Sequence, residues 1–427
     1  MRRDRPEVVH DTFVYYQLVR HDKVTITCCS ERARAGRDAR VSLLDPASRA
    51  RHRPVDRHRA PGRGEGAAVL ALLTEEQQML QDTATQLAQS VGLANPSDLD
   101  KVDRAKGWAT LADAGLLGLR ARDDQGKPTA SGVEVALVVE ALGAALAPLP
   151  YAGSGVLATE LLSLAGAPES WLAGLIDGSS RCAILMTEDL SRLAHVDELA
   201  GAYAWDADGA DHALAVAGDG QAPQVVRVAL GEDWVQVEGA DLTRVLKRAG
   251  SAPAPDQIEE AGGPLTRGKF DTWLALALTV VSADIVGALQ HGLDDVVAYT
   301  KERVQYGVPV GSFQAVQHLC AESLVAVEAS SSTVKYAAWA VDELDPAEAL
   351  VAARTAKAYC ATTARTVAET IMQVYGGIGQ TWEHIAHVIA RRTYLDRSLF
   401  GDDAVQLTAI ADARLGAIDM NAHVGGR

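Results

Sequence analysis

Arg303, Gln305 and Tyr306, followed by Gly307, Pro309 and then Phe313-Gln314, place a cation, an amide and two aromatic rings around one chain reversal. In the last turn of a helix, an arginine complements the helix dipole. Beside an inter-helix loop, the same planar fork is suited to binding a diphosphate through parallel hydrogen bonds. A second stretch, Gln373-Val-Tyr375-Gly376-Gly377-Ile-Gly379, puts three glycines within four residues. A helix C-cap needs one glycine; three point to the close approach of another backbone or of a ligand. This is not the GxGxxG loop that follows a strand in dinucleotide-binding folds.

Other chemistry finds less support. Cys28, Cys29, Cys182, Cys320 and Cys360 form no CxxC pair and read as reduced, mostly buried thiols. His384 and His387 stand three apart on a helical pattern outside any HExxH motif, so they read as structural and no metal is expected. The net charge is −16 over 427 residues. Fifteen Lys and Arg against nine Asp and Glu through Gly66 leave that segment at +6 and the remainder at −22. An acidic body argues against nucleic acid as a partner. No apolar run reads as long enough to cross a bilayer, and no apolar signal segment follows Arg2 and Arg3. The expectation is a cytoplasmic protein without a membrane partner.

The elements that must position these residues follow from periodicity. Residues 1–66 are Arg-rich and aperiodic, ending in Pro61-Gly62-Arg63-Gly64. They read as a disordered basic extension or as a translation start placed too early. A helical domain is expected over 72–181, opening at Thr74 with a capping-box partner at Gln77 and stopping at Gly92. Further helical patterns follow at Trp108–Leu117, Val133–Leu146 and Val156–Leu175. From Cys182 the pattern turns to short apolar or alternating runs, Cys182–Met186, Ala213–Ala217 and Val225–Ala229, divided by Asp/Gly turns. These predict a small β-domain of sandwich or barrel type over 182–263, with Ala252–Gly263 as a linker. Over 264–418 the helical period returns in four long stretches, Trp273–Thr300, Phe313–Asp342, Pro346–Tyr375 and His384–Arg397, as a bundle requires. The fold class read from this order is α+β: helices, a small β-domain, then a four-helix bundle.

Both stretches together, on these helices and in this order, resemble the acyl-CoA dehydrogenase family. Its pattern is Arg-x-x-Phe/Tyr-Gly, a proline shortly after, Phe-Gln before the next helix, and Gln-x-x-Gly-Gly-x-Gly about sixty residues on. The resemblance covers 72–417. Gly115-Leu-Leu-Gly118-Leu and Met186-Thr187-Glu188 agree more loosely with the family's first domain and flavin-contacting segment. The resemblance implies FAD as cofactor, with Arg303, Gln305, Tyr306, Phe313 and Gln314 around its diphosphate and adenosine. It also implies Gln373, Gly376 and Gly377 near the FAD of a partner chain, and Thr187 near the isoalloxazine. The implied substrate is an acyl-CoA thioester. The implied electron acceptor resembles an electron-transfer flavoprotein.

Such chemistry removes a proton alpha to a thioester carbonyl while the beta hydride passes to the flavin, and it needs a carboxylate base within reach. At the two positions where family members carry the glutamate, this chain reads Phe400 and Ala277. The candidate substitutes are Asp402, Asp403 and Asp284, each shorter than glutamate by a methylene. After Thr187-Glu188 the family's Pro and Gly-Ser-Asp are replaced by Asp189-Leu-Ser-Arg-Leu. Three readings follow. The chain is the non-catalytic subunit of a heteromeric enzyme whose paralogous chain supplies the base, as in actinobacterial families handling fatty or steroid acyl-CoA thioesters. Alternatively it is a homomeric enzyme using an aspartate, or a FAD-free scaffold.

Overall fold

The computed structural model describes residues 73–220, 222–239 and 241–416; the basic extension expected over 1–66 lies outside them. Helix α1 (Glu75–Val91) opens as its sequence predicts. Thr74 Oγ1 accepts from Gln77 N (3.2 Å), and the Gln77 side chain accepts from Thr74 N (3.1 Å). Helices α2 (Arg104–Asp113) and α3 (Gly132–Ala144) follow. The single helix expected over Val156–Leu175 is instead three pieces: a π-helical segment at Tyr151–Ala158, α4 (Thr159–Ala165) and α5 (Glu169–Ile176). The break has a local cause, because Gly166 takes a left-handed φ of 68° and Pro168 cannot continue a helix.

The middle segment is one mixed sheet rather than a sandwich or barrel. Its strands are β1 (Cys182–Met186), β2 (Tyr203–Trp205), β3 (His212–Ala217), β4 (Gln224–Ala229), β5 (Trp234–Val237), β6 (Leu246–Ala249) and β7 (Ile258–Pro264). They lie in the order β5-β6-β2-β1-β3-β4-β7, antiparallel except for β1 beside β3. Central β1 is buried on both faces. Cys182, Ile184 and Met186 join the main core, whereas Ala183 and Leu185 point to a smaller alanine-rich core on the other face. The expected linker Ala252–Gly263 runs partly as β7, paired along β4 as an edge strand. Its low apolar content suits an edge, which is why composition alone reads it as a joint.

The C-terminal helices are α6 (Arg267–Glu302), α7 (Gln314–Glu343), α8 (Pro346–Tyr375), α9 (Ala386–Ser398) and α10 (Asp403–Leu415). The first four match the expected bundle. Helix α10 adds a fifth, with Asp402 Oδ1 accepting from Val405 N as its cap (3.2 Å). One expectation needs correction: α6 carries an 18-residue window apolar and long enough to span a bilayer by composition. In the fold, 89% of that window is buried, with α3, α7, α8 and α9 packed around it. A helix apolar on all sides is here the core of the bundle. Its crossing with α3 is close enough to demand glycine, since a Cβ on Gly287 would fall 2.1 Å from the Glu140 carbonyl oxygen.

Candidate functional site

Helix α6 ends where Arg303 N donates to Tyr299 O (2.9 Å). A tight hairpin follows, β8 (Val304–Gln305) against β9 (Val308–Pro309). Its two turn residues, Tyr306 (φ 53°) and Gly307 (φ 82°), are both left-handed, as a two-residue hairpin turn requires. Glycine meets that demand freely. Tyrosine meets it against its preference and leaves a ring 94% exposed, edge-on to Phe313 at 6.4 Å. Gln314 opens α7 on the same exposed side. The ring of Tyr299 packs on Tyr375 at 4.9 Å, tying this corner to the end of α8. There Gln373 is exposed, and Gly376 turns the chain with φ 65° and ψ −140°. A Cβ on Gly376 or Gly377 would meet nothing within 4 Å. The two motifs therefore share one end of the bundle. Within the described residues, Arg303, Gln305, Gln314 and Gln373 commit no side chain to a hydrogen bond or ion pair.

The other end of the expected cofactor site is closed. Thr187 finishes β1, buried, with its hydroxyl donating to Asp189 Oδ1 (2.6 Å). The turn it begins places Leu190 at φ 61°, and Leu190 O accepts from Phe400 N (2.8 Å). Phe400 itself is left-handed (φ 58°) and 3% exposed. Its ring meets Trp205 of β2 edge-on (6.2 Å, 85°) and Trp273 of α6 likewise (5.9 Å, 78°). Such edge-to-face pairs contribute about 0.5–1.5 kcal/mol each beyond their buried area. Lys357 holds the turn from below, donating from Nζ to the carbonyls of Arg397 (2.7 Å) and Gly401 (3.1 Å), and burial lowers its pKa to about 8. Gln406 Nε2 donates to the Phe400 carbonyl. Ala277, four residues after Trp273 on the same face of α6, is fully buried.

Asp284, two turns further along that face, belongs to a buried ionic cluster. Its Oδ1 accepts from Arg392 Nη2 (2.7 Å); its Oδ2 accepts from Arg392 Nε (2.8 Å) and lies 2.9 Å from Arg244 Nη2. Burial alone would raise its pKa, but the guanidiniums of Arg392 and Arg244 outweigh it and hold the group far below the usual carboxylate range. Arg244 also binds Asp206 (3.1 Å) and stands over the Trp205 ring (5.3 Å). Arg392 reaches Thr243 Oγ1 (2.8 Å) and Ala147 O (3.1 Å). Sequence reading missed Arg244, Arg392, Asp206 and Asp396. The available signal was charge inside apolar helical runs, with Arg392 and Asp396 one turn apart on α9. Asp402 and Asp403 lie outside this layer, paired with Arg397 at 3.4 and 2.7 Å. His384 and His387 are engaged at the start of α9, with Ala386 N (3.2 Å) and Trp382 O (2.9 Å).

The residues present fit FAD unevenly. The unpaired Arg303 fork, the free amides and the open glycines suit its diphosphate end. Thr187, Leu190 and Phe400 leave no cradle for its ring in this chain. A cleft of about 430 Å³ lies at the hairpin corner, lined by Thr300, Lys301, Pro309, Gly311 and Gln317, and one of about 850 Å³ lies apart from it, between Glu76, Arg122, Lys127 and Glu343.

Comparison with known proteins agrees with the order of domains. Residues 74–179 and 274–415 match the N-terminal and C-terminal domains of acyl-CoA dehydrogenases. The acyl-CoA dehydrogenase IpdE2 of Mycobacterium tuberculosis is 30% identical over 325 residues, covering 75% of this chain and 91% of that protein. The chain belongs to the acyl-CoA dehydrogenase family. The acyl-CoA dehydrogenase FadE34 of the same organism is 30% identical over 293 residues, which cover 67% of this chain and 39% of FadE34. Among solved structures, a chain of the ChsE4-ChsE5 complex from M. tuberculosis superposes with a TM-score of 0.63 at 25% identity. That match covers 80% of this chain and 97% of its counterpart.

Proposed function

We propose that this chain is the non-catalytic subunit of a heteromeric, FAD-dependent acyl-CoA dehydrogenase acting on an acyl-CoA thioester. Its paralogous partner chain carries the glutamate base. The observation that carries this reading is Phe400, which the sequence resemblance aligns with the family's base, packed between Trp205 and Trp273. A phenyl ring accepts no proton, and this one is buried against both indoles. When bound, FAD supplies the acceptor for the substrate hydride. This chain's part is to hold the diphosphate through Arg303, with Gln305, Tyr306, Phe313 and Gln314 beside it, and to offer Gln373, Gly376 and Gly377 to the partner's cofactor. Electrons leave to an electron-transfer-flavoprotein-like acceptor.

A homomeric enzyme with an aspartate base is less well supported. Asp284 is held ionised by two arginines and is a poor base, because a base must bind the proton it removes. Asp402 serves as the cap of α10. A FAD-free scaffold would have no use for the unpaired Arg303 and the strained, exposed Tyr306. The test is co-expression with an adjacent acyl-CoA dehydrogenase-like gene, followed by the mass and flavin content of the purified species. A mixed oligomer containing flavin is expected, active only as the mixture. A lone chain that reduces its flavin on adding an acyl-CoA would overturn the proposal.

A further inference from the structure

We infer that Asp396 is a neutral acid donating its proton to Asp284, and that this one proton closes a lock joining α6, α9 and the 241–244 loop of the sheet. The Asp396 side chain is 0% exposed, and neither of its oxygens has a hydrogen-bond donor. Arg244 Nη2 lies 3.7 Å from its Oδ1, beyond hydrogen-bond distance. Asp284, by contrast, has guanidinium nitrogens at 2.7, 2.8 and 2.9 Å. An ionised carboxylate buried without donors is strongly disfavoured, whereas a protonated one can donate to the acceptor-only oxygens of its neighbour.

The charges facing the pair agree. Helix α9 contributes Arg392, the loop contributes Asp241 and Arg244, the end of β2 contributes Asp206, and α8 contributes Lys357. Arg397 is turned to Asp402 and Asp403. Three cations thus face four carboxylates, and one proton balances the set. Burial raises the Asp206 pKa too, but Arg244 contacts both of its oxygens (3.1 and 3.2 Å) and Gly153 N donates to it (2.7 Å), donors that favour its charged form and that Asp396 lacks. For Asp396, burial and the adjacent negative charge of Asp284 act together and push its pKa well above the ordinary range.

The sign of the linkage follows. Above the ordinary aspartate value of about 3.9 the unfolded chain releases this proton while the native protein keeps it. The stabilisation is therefore complete below that value and is lost as pH rises to the native pKa of Asp396, by about tenfold in the folding equilibrium per pH unit. Above it, two anions share one buried site and the lock between sheet and bundle loosens.

The full chain labelled with ¹³C at aspartate carboxyls tests this by NMR at neutral pH. One aspartate is expected at the protonated chemical shift, lost in Asp396→Asn and kept in Asp206→Asn. The Asp396→Asn protein should also lose the tenfold-per-unit fall in folding equilibrium between pH 5 and 7. No protonated aspartate in the native protein overturns the assignment, as does a signal or a slope that survives in Asp396→Asn. Where Asp396→Asn does not fold, the signal's retention in Asp206→Asn carries the assignment and its loss there overturns it.

Discussion

Two ends of one bundle have opposite characters. At the β8–β9 hairpin and the Gly376 turn, polar side chains are exposed and unpaired, an aromatic ring stands in solvent, and glycines face open space. At the α9–α10 turn the groups are enclosed: Phe400 is wedged between two indoles, its amide is bonded to Leu190, and the Arg/Asp cluster is buried in the same interior. Unpaired polar groups at a surface cost little and remain available to a ligand or a partner. Buried ones must be satisfied within the chain. The difference teaches that one end of the bundle keeps polar groups available for binding while the other is filled by aromatic and ionic packing.

The strongest way to break the comparison is at the closed end. Asp284→Ala leaves Arg244 and Arg392 buried with much of their countercharge gone, and removing one partner of such a cluster costs about 3–5 kcal/mol. Chemical denaturation should show that loss; a near-neutral result would mean the cluster is solvated in solution. Phe400→Glu comes next. It removes ring packing, for which large-to-small core changes cost about 3–5 kcal/mol, and inserts a carboxylate between Trp205 and Trp273. The variant alone should be destabilised and still inactive towards acyl-CoA. Dehydrogenation by that variant without a partner would show that the site is open after all.

The exposed end should answer differently. Arg303→Ala should leave the unfolding transition unchanged and lower FAD affinity, since each charge-assisted hydrogen bond contributes about 1.5–3 kcal/mol. Flavin content and affinity in the co-expressed species give the measurement, and unchanged binding would remove Arg303 from the cofactor surface. Gly377→Ala meets open space within this chain. It should therefore be neutral for stability yet reduce flavin retention or assembly with the partner. The smallest effect is expected at Asp402→Asn, because asparagine caps a helix about as well as aspartate and the change should stay within roughly 0.5 kcal/mol. Activity of the assembled species should also be unaffected, whereas an Asp402 base would make it vanish.

Much of this was legible beforehand where the information is local. The Thr74 capping box, the start of α8 at Pro346 and the reach of α6, α7 and α9 follow from caps and from a period of 3.6 residues. The short apolar or alternating runs of β1, β3 and β4 also identified strands. Short β2, β5 and β6 escaped, because three or four residues carry too little periodicity to separate strand from loop. Helix α10 escaped behind a turn that resembles a terminus, and β7 behind glycines that suit an edge.

The sequence by itself determined the order of helices, sheet and bundle, the two motifs proposed to hold the cofactor, and the absence of glutamate at positions 277 and 400. These are properties of residues close together in the chain. Only the tertiary structure decided that Phe400 is sealed and that Asp206, Asp241, Arg244, Asp284, Arg392 and Asp396 form one cluster. Those side chains come from the sheet, its loop, α6 and α9. Whether an aspartate is a base, a bound anion or a neutral acid depends on its burial and on the charges folded against it. No spacing along the chain states that.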